Sequence, residues 1–380
     1  MVKNAVVYGA GQTGRGYTAR YLKERNYSIS FIEKNKELVN LLNEDKRFCI
    51  HFYDKDRTPV LVDNFKAYHI SDDLNSIISN ADIILTAVGE QNLDEVAKSI
   101  VNNIGNKSIP QLLTCENGIN PAKVLKTALL KNSTLHEKNL NISQTAIFCS
   151  TVNVIQTRLD ILSQNETYFP YDVEGFRGEL DFYGAEPNKN FEQFLKRKIY
   201  TYNCLAGIIS YMGYIKGYKI YSEAANDIEI SKVIEIFLES LNPSLSNYFG
   251  IELNKQAAFA QKAVNKFKDK NILDYVIKNG RAAKRKLGKT ERIFAPYEII
   301  KSNNKDARIL TFNAAAALTY WYELQGKGDE LLLNNDPIDE LVSILQLCPN
   351  DDFIKAVKFY YEKIKENRKK INLLELIFNN

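Results

Sequence analysis

Residues 9–14 read GAGQTG, three glycines in G-x-G-x-x-G spacing between an apolar run, "NAVVY", and a helix-forming one, "YTARYLKER". Few short segments restrict a fold more. In a strand–turn–helix setting the first glycine permits the tight turn, and the second lets a pyrophosphate approach the backbone. The third lets the helix pack closely on the strand. The helix N-terminus then turns free N–H groups and a partial positive charge toward that anion. Glu33 closes the next β-branched and aromatic run, "YSISFIEK", nineteen residues after Gly14. An acid at that place bonds the adenosine ribose 2′-OH and opposes a 2′-phosphate. Gly9, Gly11, Gly14 and Glu33 are therefore expected to bind a dinucleotide, with NAD favoured over NADP. Lys34, the cation beside Glu33, softens that discrimination.

The pattern continues in the same sense. "DIILTAVG" (82–89), "IPQLLTCENG" (109–118) and "QTAIFCSTVNVI" (144–155) are continuous apolar runs of the kind found in parallel strands buried on both faces. Strands alternating with helical stretches predict an α/β Rossmann-type doubly wound sheet. Thr86, Val88 and Gly89 end one such strand, where a nicotinamide would lie. Asn117 ends another, and before Gly118 it also reads as an ordinary turn residue. From residue 191 onward the apolar spacing becomes helical, as in "SKVIEIFLESLN" and "DFIKAVKFYYEKIKENRKK". The expectation is a dinucleotide-binding domain over 1–190 and an all-helical C-terminal domain over 191–380.

Composition narrows the function. A net charge of +4 over 380 residues is too small for a general nucleic-acid binder. Five widely spaced cysteines with no CxxC pair suggest neither a disulfide framework nor a zinc knuckle, and fit a reducing cytoplasm. The N-terminal apolar run is too short for a signal peptide, and the most apolar later window, Leu205–Ile215, is too short to span a membrane. The three histidines, His51, His69 and His136, leave nothing beyond residue 136 for imidazole acid–base work or most histidine-ligated metal sites.

A dehydrogenase must take a hydroxyl proton as hydride leaves the carbon. With no histidine and no cysteine cluster in the second half, the candidate base is a lysine whose pKa is lowered by burial. "KRKIYTYNCLAG" (196–207) places Lys198 five residues before Asn203. On a regular helix those positions are about 140° apart, so the segment must bend, widen as a π turn, or let the lysine wrap toward the amide. Lys196 and Arg197 read as ordinary surface cations. Amides from Asn203 and Asn117 could donate to a developing alkoxide.

These residues carry a resemblance. "GAGQTGRGY", "TAVG", "CEN", "KRKIYTYN" and "RKLGKTERIFAP" occur in the order and near the spacing of the long-chain polyol dehydrogenase/reductase family, and the similarity runs over nearly the whole chain. It implies a Rossmann domain followed by a helical substrate domain, NAD as cofactor and no metal. It also implies Lys198 as general base, with Asn203 and Asn117 as oxyanion-hole amides. Lys278, Arg281 and Lys286 match basic groups over the substrate; by itself this Lys/Arg-rich stretch reads as a solvated charge run. The implied partner is a small-molecule sugar phosphate or polyol, with mannitol 1-phosphate and fructose 6-phosphate the first pair. Two departures stand out: Ala206 occupies the place of the family's histidine, and Asn153–Val154 that of a frequent Asp–Arg. Two alternatives stay open, a family dehydrogenase of another polyol or sugar acid and a nucleotide-binding relative without turnover.

Overall fold

The computed structural model describes residues 2–54, 56–105, 108–118, 120–133, 136–328, 330–368 and 370–379. The chain forms two compact units, Met1–Leu195 and Lys196–Asn380. The division falls inside the helix Phe191–Lys198, a few residues beyond the limit of 190 read from the sequence.

Among the described residues, twelve strands lie in the first unit: β1 (Asn4–Tyr8), β2 (Ser28–Glu33), β3 (Phe48–Phe52), β4 (Val60–Val62), β5 (Phe65–His69) and β6 (Ile83–Thr86), then β7 (Gln111–Thr114), β8 (Ile142–Gln144), β9 (Thr151–Asn153), β10 (Ile161–Ser163), β11 (Phe169–Asp172) and β12 (Ala185–Asn188). Six form a sheet in the order β5-β2-β1-β6-β7-β8, and every pair is parallel. Strand order reverses between β1 and β6, so the loops after them flank the crevice where ligands bind in doubly wound sheets. Side chains alternate across it. Ala5 and Val7 enter one core cluster with Leu22 and Phe31, while Val6 and Tyr8 enter the other with Ile84 and Leu125. Burial on both faces is why these strands read as unbroken apolar runs.

A second sheet, β4-β3-β10-β9, was not legible in the sequence. The run 144–155, expected as one strand, is divided between the two sheets. β8 ends at Gln144; Thr145 then bridges Tyr171 and donates from Oγ1 to the Pro170 carbonyl at 2.8 Å, and β9 begins six residues later in the smaller sheet.

The second unit is helical. Its helix Arg308–Leu324 is buried at every position from Ile309 to Trp321, the mark of a helix surrounded by others. Among the described residues, no helix is long and apolar enough to cross a membrane.

Candidate active site

The first unit offers a cleft of about 220 Å³ lined by the glycine turn, Glu33, Lys34 and the residues after β6. Gly9 has φ +92°, and a Cβ there would stand 2.5 Å from the Ala87 carbonyl oxygen. A Cβ on Gly14 would meet the Gly9 carbonyl oxygen at 1.9 Å, whereas one on Gly11 would meet nothing within 4 Å. The first and third glycines are thus required by packing, and the second leaves its backbone open to the crevice. Glu33 Oε2 accepts from the Ala10 N–H at 2.8 Å, and Oε1 accepts from the N–H groups of Lys34 and Asn35 at 2.9 and 3.0 Å. A carboxylate has about four acceptor positions, so one remains for a ribose hydroxyl. The open Gly11 backbone and this acceptor fit a dinucleotide.

The helix after the turn begins as a widened π turn, Gly14–Thr18, and buries Arg15. Arg15 Nη1 donates to the Ala10 carbonyl at 2.5 Å, Nε to the Leu159 carbonyl at 3.1 Å, and Nη2 to Asn153 Oδ1 at 2.9 Å. Burial lowers its pKa to about 10, against the opposing pull of Glu33 and Asp160. Asn153, one of the two family departures, therefore helps hold the guanidinium that braces the glycine turn.

At the far side of the switch point, Val88 lines the cleft, whereas Thr86 is buried at the end of β6. Gly89, with φ +88°, donates its N–H to Glu116 Oε2 at 2.8 Å, and Val88 N–H reaches Glu116 Oε1 at 3.0 Å. Glu116, overlooked in the sequence, anchors this loop; burial raises its pKa despite those bonds. Asn117 follows it as an exposed residue beyond β7.

In the second unit, Lys198 precedes a π turn, Ile199–Asn203, in which the Cys204 N–H reaches back to the Ile199 carbonyl. An i→i+5 bond widens the turn, and the wider turn narrows the angle between Lys198 and Asn203. Packing holds it open. Buried Gln256 donates to Thr201 Oγ1 at 3.1 Å and accepts from Arg197 Nε at 2.9 Å, and the Arg197 guanidinium lies 4.2 Å from the Phe259 ring centre. Arg197 is consequently a clamp and not the surface cation its sequence context suggested.

Lys198 is buried, and its pKa is pushed down to about 7, first by desolvation and then by Lys266 and Arg292. Lys286 is also buried and driven well below its ordinary value by burial, then by Arg292 and Arg285; its Nζ donates to the Asn279 carbonyl at 2.6 Å. Arg281 adds to the positive field at Lys286, while Lys278 pairs with Asp274 at 3.6 Å. Arg292 was missed in the sequence although it sits in the quoted "RKLGKTERIFAP"; it bonds Glu291 at 3.1 Å and its field reaches both buried lysines. Ala282, in the left-handed region at φ 57°, sets the start of the short helix that carries Lys286, a backbone strain of the kind that gathers at functional sites. Ala206 offers only its carbonyl, which accepts from Ser210 Oγ at 2.8 Å and Tyr221 Oη at 3.4 Å.

Cys49, His51 and Asp160 bring potential metal-ligating atoms within 4.8 Å of one another. They belong to the smaller sheet of the first unit and its approaches, and Asp160 already accepts from the Cys49 N–H at 2.8 Å while standing 3.2 Å from His51 Nε2.

Comparison with known proteins gives one family. The family model for the mannitol dehydrogenase Rossmann domain matches residues 3–179, and that for the mannitol dehydrogenase C-terminal domain matches residues 190–374. A mannitol-1-phosphate 5-dehydrogenase of Thermoanaerobacter pseudethanolicus is 27% identical, over 96% of this chain and 99% of its own. The Bacillus subtilis enzyme of the same name is 27% identical, over 83% and 87%. Among solved structures, Pseudomonas fluorescens mannitol 2-dehydrogenase in a ternary complex with NAD and D-mannitol superposes with a TM-score of 0.78 at 14% identity, covering 97% of this chain and 93% of that one.

Proposed function

The chain belongs to the mannitol dehydrogenase family, and from that premise we propose that it is an NAD(H)-dependent oxidoreductase interconverting a hexitol phosphate and a ketose phosphate. Mannitol 1-phosphate and fructose 6-phosphate are the pair put forward. The observation that carries this reading is the charge arrangement in the second unit. Arg292 acts as a like charge on both Lys198 and Lys286, two lysines held in a poorly solvated interior. Glu291 pairs with Arg292, and the two buried lysines within its field would be balanced by a further anion, for which a phosphoryl group is the natural match. The mannitol-1-phosphate 5-dehydrogenases among the relatives support the same substrate class.

The bound dinucleotide would accept or deliver the hydride. The protein's part is to hold the substrate and to move one proton. In the oxidation direction the neutral Lys198 amine takes the proton of the reacting hydroxyl; in reduction the ammonium returns it to the carbonyl oxygen. Asn203, and Asn117 by the same assignment, donate to the oxygen as negative charge develops. Glu33 selects NAD, the glycine turn receives the pyrophosphate, and Lys286, Arg281 and Arg292 receive the substrate phosphate. This assigns the proton step to a lysine in place of a metal-bound water, so a chelator should leave the rate unchanged.

The deciding assay follows NADH oxidation with fructose 6-phosphate, fructose, tagaturonate and other sugar phosphates. Turnover limited to phosphorylated ketoses supports the proposal. Turnover of fructose or tagaturonate alone would replace the substrate, and no turnover at all would favour a nucleotide-binding protein.

A further inference from the structure

We infer that Asn313 is a substrate-binding residue whose carboxamide engages the hydroxyl groups of the polyol or open-chain ketose, an inference that rests on the dehydrogenase reading above. Asn313 lies on the helix Arg308–Leu324 and is fully buried, yet neither its Nδ2 nor its Oδ1 has a hydrogen-bond partner among the described residues. Native interiors leave few polar groups in that state, because desolvation is then uncompensated. An amide that faced only protein would be replaced by leucine at no loss, so a group waiting for a ligand is the better physical account.

Its position specifies the ligand. A methyl placed on Gly207 would stand 3.7 Å from Asn313 Nδ2, 3.8 Å from Tyr211 Cε2 and 3.9 Å from Arg292 Cδ. Asn203 caps the helix Cys204–Ile215 and Gly207 follows it by four residues, so the two lie on one face. Arg292 in turn acts on Lys198. The unpaired amide therefore borders the locus that contains the base, beside a residue with no side chain to occupy the space. An amide presents donors and an acceptor together. A phosphoryl group would satisfy the donors alone and an apolar chain neither, whereas neighbouring hydroxyls satisfy both. Asn313 accordingly recognises the hydroxylated carbon chain, leaving the phosphate to the cations.

The test compares wild type, Asn313→Leu and Gly207→Ala by steady-state kinetics, NADH fluorescence titration and thermal denaturation. Asn313→Leu should raise KM for the accepted substrate on the order of tenfold to a hundredfold, with NADH affinity unchanged and the melting temperature equal or higher. Gly207→Ala makes only ordinary contacts and should raise KM through the same space, which keeps the test valid if the leucine variant does not fold. An unchanged KM in both variants overturns the inference, as does an unchanged KM in Asn313→Leu accompanied by a large loss of stability. If another polyol or sugar acid proves to be the substrate, the same KM comparison is made with it, and only the substrate reading has failed. If nothing turns over, calorimetry with fructose 6-phosphate and mannitol decides: binding lost in Asn313→Leu supports the role, and no binding by wild type overturns it.

Discussion

Gln256 Nε2 donates to Thr201 Oγ1 across 3.1 Å, and both side chains are buried. Thr201 is the middle residue of the π turn that separates Lys198 from Asn203. A π turn is rarely stable without outside support, and this bond supplies it from the helix Leu253–Lys268. Gln256→Leu should therefore lower kcat on the order of tenfold, with little change in NADH affinity. Thr201→Val should do much the same, and the double variant should cost far less than the product of the two. Steady-state kinetics across the cycle check this; additive losses would mean the turn is held by packing alone.

The Lys198 pKa of about 7, set first by burial, gives opposite pH dependences for the two directions. kcat/KM for polyol oxidation should rise with pH through about 7 and then level, since the neutral amine is the base we propose. Reduction should fall over the same window. Arg292→Gln removes a neighbouring cation and should move the midpoint upward. The stability sign follows from the same shift. The folded pKa lies below the unfolded value, so between about 7 and 10.5 the unfolded chain binds more protons and native stability rises with pH. Lys198→Met should abolish turnover yet stabilise the fold, by up to about 5 kcal/mol below pH 7 and by less as the pH approaches 10. Denaturation at several pH values measures it.

Cofactor choice is the role we propose for Glu33, whose carboxylate meets three backbone N–H groups and keeps about one acceptor position. NADH should bind about tenfold or more tighter than NADPH, because a 2′-phosphate would be forced against a like charge. Glu33→Gln should narrow that ratio and weaken NADH. Fluorescence titration with both reduced cofactors checks this, and equal affinities for wild type would transfer the control to Lys34.

The cations of the stretch 278–292 should not contribute equally. Arg292→Ala and Lys286→Ala should raise KM for a phosphorylated substrate far more than for its unphosphorylated analogue. Arg281→Ala should act in the same direction. Lys278 already pairs with Asp274 at 3.6 Å, so Lys278→Ala should change little. Equal effects on both substrates would return the whole stretch to a solvated charge run.

By itself the sequence determined what depends on local spacing. Three glycines between a strand and a helix, an acid at the end of the next strand and the change from apolar runs to helical periodicity were enough for the doubly wound sheet and the helical second half. The five-residue gap from Lys198 to Asn203 even called for a bend, a wide turn or a lysine side chain that wraps toward the amide. What the sequence could not contain was the partner of each such residue. The folded chain takes a wide turn there, held by Gln256, 55 positions after Thr201. The second sheet pairs β3 with β10 more than a hundred residues away, through strands too short to carry a period. Arg292 looked like one cation of a charged stretch, and Asn313 like any polar residue in an alanine-rich helix. Only tertiary packing removed water from around them and set them next to Lys198 and Gly207. Desolvation and proximity belong to the folded interior, and those two effects lower the Lys198 pKa and leave the Asn313 amide without a partner among the described residues.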